Sequence, residues 1–144
     1  MFALSLILTG CGWGEAKSES DRQSAFTEVI GFDAPAGVTK IESSYYWMRD
    51  AYACWLRFEC DDSTLERVRK LATNKTPESE RNFSGPSHAE HNPNAPDWWK
   101  HGPDPTGFEE FSIDRTVKDS RYDKSHVYID RRNHIVYAER EVSE

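Results

Sequence analysis

The sequence predicts an α+β fold: an antiparallel sheet of about five to six strands, one short amphipathic helix packed on it, and a C-terminal β-hairpin. Three observations carry this. His126-Val127-Tyr128-Ile129-Asp130 and Ile135-Val136-Tyr137-Ala138-Glu139 are both rich in β-formers and flank the polar link Arg131-Arg132-Asn133-His134, the pattern of a hairpin. From Cys54 to Cys60 apolar residues alternate, so Cys54, Leu56, Phe58 and Cys60 share the core face of a strand and Trp55, Arg57 and Glu59 the other. Ser63 followed by Glu66 forms a capping box, and Leu65, Val68 and Leu71 then make one apolar stripe, predicting a helix over Thr64 to Thr73.

The remaining elements follow in order. Phe26 to Phe32 has β-formers and partial alternation and predicts a first strand, ended by the turn Asp33 to Gly37. Val38 to Trp47 predicts a second strand, and Met48-Arg49-Asp50 a tight connection into the third, Ala51 to Cys60. Asn74 to Pro96 is polar and holds several prolines, which predicts a long loop of the kind that is often functional. Asp97-Trp98-Trp99-Lys100 follows Pro96 as a single helical turn, and Phe108 to Ile113 is a fourth strand. In the hairpin, Val127 and Ile129 share a face, as do Ile135 and Tyr137.

The composition bounds the partners. The net charge is −7, 30% of residues are charged, and the mean hydropathy is −0.80. An acidic surface repels phosphates, so nucleic acid is not an expected partner and a basic one fits better. Aromatic residues make up 12% and include five Trp, which argues for an ordered core. Cys54 and Cys60 are both in the third strand. Six residues of strand span roughly 20 Å, well beyond the roughly 7 Å a disulfide bridges. Two buried free thiols are expected.

The N-terminus carries the most informative motif. Phe2 to Leu8 is an uncharged apolar run that leads into Leu8-Thr9-Gly10-Cys11. This resembles the lipobox of bacterial lipoproteins, in which the chain is cut before the Cys and its sulfur carries a diacylglycerol. The resemblance covers only Met1 to about Ser20. It implies a signal peptide over 1–10, a lipid anchor on Cys11, and a place in the bacterial cell envelope at the outer membrane or periplasmic face. Gly12 after the Cys, where Asp favours inner-membrane retention in lipoproteins of enteric bacteria, leans outward. No Lys or Arg precedes the apolar run, as expected if the true start lies upstream of Met1. The alternative is that Phe2 to Leu8 is the first strand or helix of the domain. Gly12 to Ser24 is polar with no apolar period, predicting a flexible tether over 11–25 and a single α+β domain over 26–144.

Residues for chemistry are few. His88-Ala89-Glu90-His91 places two imidazoles three residues apart, and His101 could complete a weak metal site, but the spacing departs from the His-Glu-x-x-His pattern. No Gly-x-Ser-x-Gly nucleophile elbow and no Gly-rich phosphate loop is present. Glu109 and Glu110 point to opposite faces of a strand and cannot share a substrate. Trp98 and Trp99, about 100° apart on a helical turn, are candidates for partner contact or for sealing the edge of the core. The reading is a membrane-anchored lipoprotein with a non-enzymatic, protein-binding or envelope-associated domain, needing no cofactor. Its partners are the bilayer, through acylated Cys11, and a protein. The alternative is a small metal-dependent hydrolase using His88, His91 and His101. A structural envelope protein without a ligand is a third reading.

Overall fold

The computed structural model describes residues 11–75, 86, 93–116 and 121–144. Among these residues seven strands form one antiparallel sheet: β1 (Cys11–Glu15), β2 (Thr39–Met48), β3 (Ala51–Glu59), β4 (Asn74–Lys75), β5 (Glu109–Asp114), β6 (Tyr122–Asp130) and β7 (Ile135–Ser143). Their order across the sheet is β1-β2-β3-β7-β6-β5-β4. Three helices accompany them: α1 (Glu19–Ile30), α2 (Asp62–Arg69) and the single turn α3 (Asp97–Lys100). The class is α+β with an antiparallel sheet, as the sequence predicts.

Two expectations are corrected at the N-terminal side. The stretch read as a tether is built into the fold, as edge strand β1 and the first half of α1. Phe26 to Ile30, read as a strand, is the second half of α1. The helical signals were present but local. Ser18 caps α1 by accepting from the Asp21 amide at 3.0 Å, and the Asp21 carboxylate accepts in return from the Ser18 amide. Gly31 ends the helix at φ 102°, a left-handed conformation that glycine adopts without steric cost. Phe26, Val29 and Ile30 recur at i, i+3 and i+4, and all three are buried. β-Forming residue types misdirect the reading because tertiary burial, not intrinsic propensity, decides a short helix.

The sheet buries both faces. On the first, Cys54, Leu56 and Phe58 of β3 meet Val136 and Ala138 of β7 and Val127 and Ile129 of β6. Helix α1 closes this core with Phe26, Val29 and Ile30, and α2 with Leu65 and Val68. The predicted core face of β3 is therefore correct. The opposite face holds a second aromatic core: Trp55, Tyr128 and Tyr137 from the strands, covered by Trp99 of α3 and Phe108. Trp55, predicted to lie on that opposite face, is fully buried there.

Smaller differences concern boundaries. The N-cap of α2 is Asp61, whose carboxylate accepts from the Thr64 amide at 2.9 Å, and the helix ends at Arg69. Asn74–Lys75 of the expected long loop pairs with β5 as a short edge strand. The hairpin is longer than predicted and tightly registered from Tyr122↔Ser143 to Asp130↔Ile135. Asp130 secures its turn by accepting from the Arg132 and Asn133 amides and from the Asn133 side chain. Val127 and Ile129 share one face, and Ile135 and Tyr137 the other, as predicted.

Helix α1 is fixed to the sheet by polar contacts at its C-terminal end. Ser125 Oγ donates to the Val29 carbonyl at 2.9 Å. The Arg115 guanidinium donates to the carbonyls of Val29 and Ile30 and to Ser125 Oγ. Arg140 adds a bond to the Glu28 carbonyl and a bidentate pair with Asp123, at 2.8 and 2.7 Å. Carbonyls that a helix end leaves unsatisfied are thus answered by side chains of the sheet.

Candidate functional site

The rigid seat of α1 at its C-terminal end contrasts with an open cleft at its N-terminal half. There α1 and the ends of β1, β2 and β3 enclose a cavity of about 510 Å3. One wall is aromatic: Tyr45 and Trp47 of β2 stack with centroids 5.5 Å apart and planes 25° apart. Both rings cross to the edge strand. Gly14 and Gly12 are their register partners on β1, and a Cβ at either glycine would overlap the facing ring. Glycine here is a requirement of close approach, with the aromatic rings covering backbone that a side chain would otherwise shield.

Tyr52 and Cys54 of β3, with Ser43 of β2, form the floor. The Tyr52 hydroxyl faces Glu28 of α1 and Cys54, and burial, followed by those two neighbours, holds the phenol well above its ordinary range. The Cys54 thiol lies 3.7 Å from Ser43 Oγ and is pushed up to about 11, mainly by burial. Both groups are neutral at physiological pH, so the floor offers hydroxyl and thiol dipoles and no thiolate nucleophile. The rim is acidic. Asp21 and Glu28 of α1 line it, while Glu15 of β1 borders the cavity from a strand position that alternates with Gly14; no Lys, Arg or His is among the described lining residues. The Ser18 hydrogen bonds hold the Asp21 carboxyl below its usual value, so it is ionised. Glu28 is also 3.6 Å from Arg140, outside the cavity.

The residues singled out from the sequence lie elsewhere. Trp99 is 2% exposed and packs edge-on to Tyr128 and Tyr137, so its ring belongs to the second core. Trp98, edge-on to Trp99, is half-buried. His101 is the exposed C-cap of α3. His88 and His91 lie outside the described residues, and among the described residues no three His, Cys, Asp or Glu side chains are placed to hold a metal ion. Cys54 and Cys60 are free and buried, as predicted, and burial pushes Cys60 up to about 12. The backbone of Cys11 begins β1, opposite Met48.

Sequence reasoning missed the cavity because it misplaced α1. A usable signal was present: Gly12-x-Gly14 alternates with the same period as Tyr45-x-Trp47, which suits two strands with rings over glycines. No known protein family matches this chain, and neither a curated protein nor a solved structure is significantly similar to it.

Proposed function

We propose that the chain is a non-enzymatic binding domain, held at the bacterial cell envelope by a lipid on Cys11. The observation that carries the binding role is the cavity between α1 and the sheet. Its volume of about 510 Å3 is within the range of small-molecule pockets, and its apolar aromatic wall with a few polar groups is the usual composition of such a site. Its thiol and phenol are held neutral by burial, which suits recognition better than nucleophilic catalysis.

The anchor rests on Leu8-Thr9-Gly10-Cys11, and two features of the edge strand support it. Trp13 and Met48 share one sheet face beside the start of β1 and are 56% and 48% exposed. Tryptophan is favoured at membrane interfaces. Since β1 starts at Cys11, an acyl group there would hold the domain close against the bilayer, with the edge strand lowermost. Trp98, half-buried, remains a candidate contact for a protein partner, whereas the ring of Trp99 is committed to the core. The hydrolase alternative draws no support from the described residues.

Two experiments test the parts separately. Labelled palmitate fed to bacteria expressing the full chain should mark the parent and leave Cys11→Ala unlabelled; label on neither removes the anchor. Nuclear magnetic resonance titration of the Cys11→Ser chain against cationic, neutral and anionic small molecules should move the signals of Tyr45, Trp47 and Tyr52. Silence at those residues across all three classes removes the binding role.

A further inference from the structure

The occupant of the cavity can be narrowed by its chemistry, on the footing that the chain is a binding domain. We infer that the cavity takes a small organic cation of the alkylated ammonium type. Three independent properties converge on it. The wall is built of electron-rich ring surfaces, with Tyr45 and Trp47 stacked side by side and Tyr52 opening onto the same space. Aromatic surfaces attract cations through the ring quadrupole, tryptophan most strongly, and groups of such rings recognise methylated ammonium ions. Charge at the rim has one sign, from Asp21 and Glu28, while no cationic side chain is among the described lining residues. The volume of about 510 Å3 is within the range of small-molecule pockets and leaves room for an alkylated ammonium group and its substituent.

The fold explains why these groups stand open. Trp47 and Tyr45 are spread over Gly12 and Gly14, and Tyr45 also packs against the margin of the first core, so their placement is set by the fold and does not need the ligand. Glu28 neighbours Tyr52 on one side and is paired with Arg140 at 3.6 Å on the other. Arg140 offsets part of its charge, so Asp21 supplies most of the uncompensated negative field. An anionic ligand would meet these carboxylates without a compensating donor cation. A neutral ligand would gain the aromatic wall but waste the rim.

Choline and its uncharged isostere 3,3-dimethylbutan-1-ol differ in the charge of one atom and are the matched probes. Titrated into the full chain carrying Cys11→Ser, choline should shift the Trp47 indole resonance with saturation, and the isostere should bind about tenfold more weakly. Asp21→Asn, at an exposed position whose side-chain oxygen can still accept from the Ser18 amide, should weaken choline about threefold and leave the isostere unchanged. Trp47→Leu, followed at the Tyr52 signals, should weaken both probes, choline more. Equal binding of the two probes overturns the cation and leaves the binding domain standing. No response at the cavity to either probe, together with silence toward anions, overturns both.

Discussion

The indole of Trp47 lies across Gly12, so that the edge strand and the aromatic wall of the cavity exist only together. Valine at position 12 would suit an extended backbone and would regain the order that glycine loses in a strand. It would also drive a branched side chain into the ring. Gly12→Val should therefore cost about 1–3 kcal/mol in urea denaturation. In a Trp47→Ala background the same change should be neutral or stabilising, because the obstacle is gone. A penalty that persists without the indole would show that Gly12 serves the backbone and not the ring.

Trp99 plugs the second core against Tyr128 and Tyr137. Trp99→Ala should cost about 3–5 kcal/mol, with loss of the near-ultraviolet circular dichroism of the packed aromatics. Trp98→Ala, removing a half-buried ring from the same helical turn, should cost less than half as much. Calorimetric melting of the two variants distinguishes them.

The Asp123–Arg140 pair ties the sheet to α1 and is largely withdrawn from water. Asp123→Asn should destabilise the protein by about 3 kcal/mol at neutral pH, since it leaves a shielded guanidinium short of its bidentate partner.

Acid should act in two stages. Burial lowers the His126 pKa, so the folded form resists a proton that the unfolded chain accepts. Stability therefore begins to fall as pH drops below about 6.5. Hydrogen bonding to Arg140 is the main reason the Asp123 carboxyl titrates low. Its contribution is complete above the unfolded value of about 3.9 and is lost as pH falls through the lower folded value. Denaturation midpoints followed against pH should show both steps. His126→Gln should flatten the first, and Asp123→Asn the second.

Cys54 and Cys60 are buried thiols whose ionisation is suppressed, to about 11 and about 12. In the Cys11→Ser chain neither should react with a disulfide reagent at pH 7.5 over minutes, and both should react at once in denaturant. Fast reaction of one thiol in the native protein would place the Cys54 side of the cavity open to reagents larger than water.

The sequence by itself determined what depends on near neighbours along the chain. Alternation placed Cys54, Leu56 and Phe58 on one face, six residues of strand kept Cys54 from Cys60, and the polar link after Asp130 dictated a hairpin. Helix α1 was legible only in part. Its cap, Ser18 with Asp21, and its stop, Gly31, are local, but the β-forming residues between them read equally well as a strand. What chose the helix was the sheet, through the burial of Phe26, Val29 and Ile30 and the carbonyl contacts of Arg115 and Ser125, residues about 85 to 96 positions away. The cavity was decided at that same level. Its wall, floor and rim come from four separate elements, and no local period encodes their meeting, because side-chain packing across a sheet is a property of register and not of order along the chain.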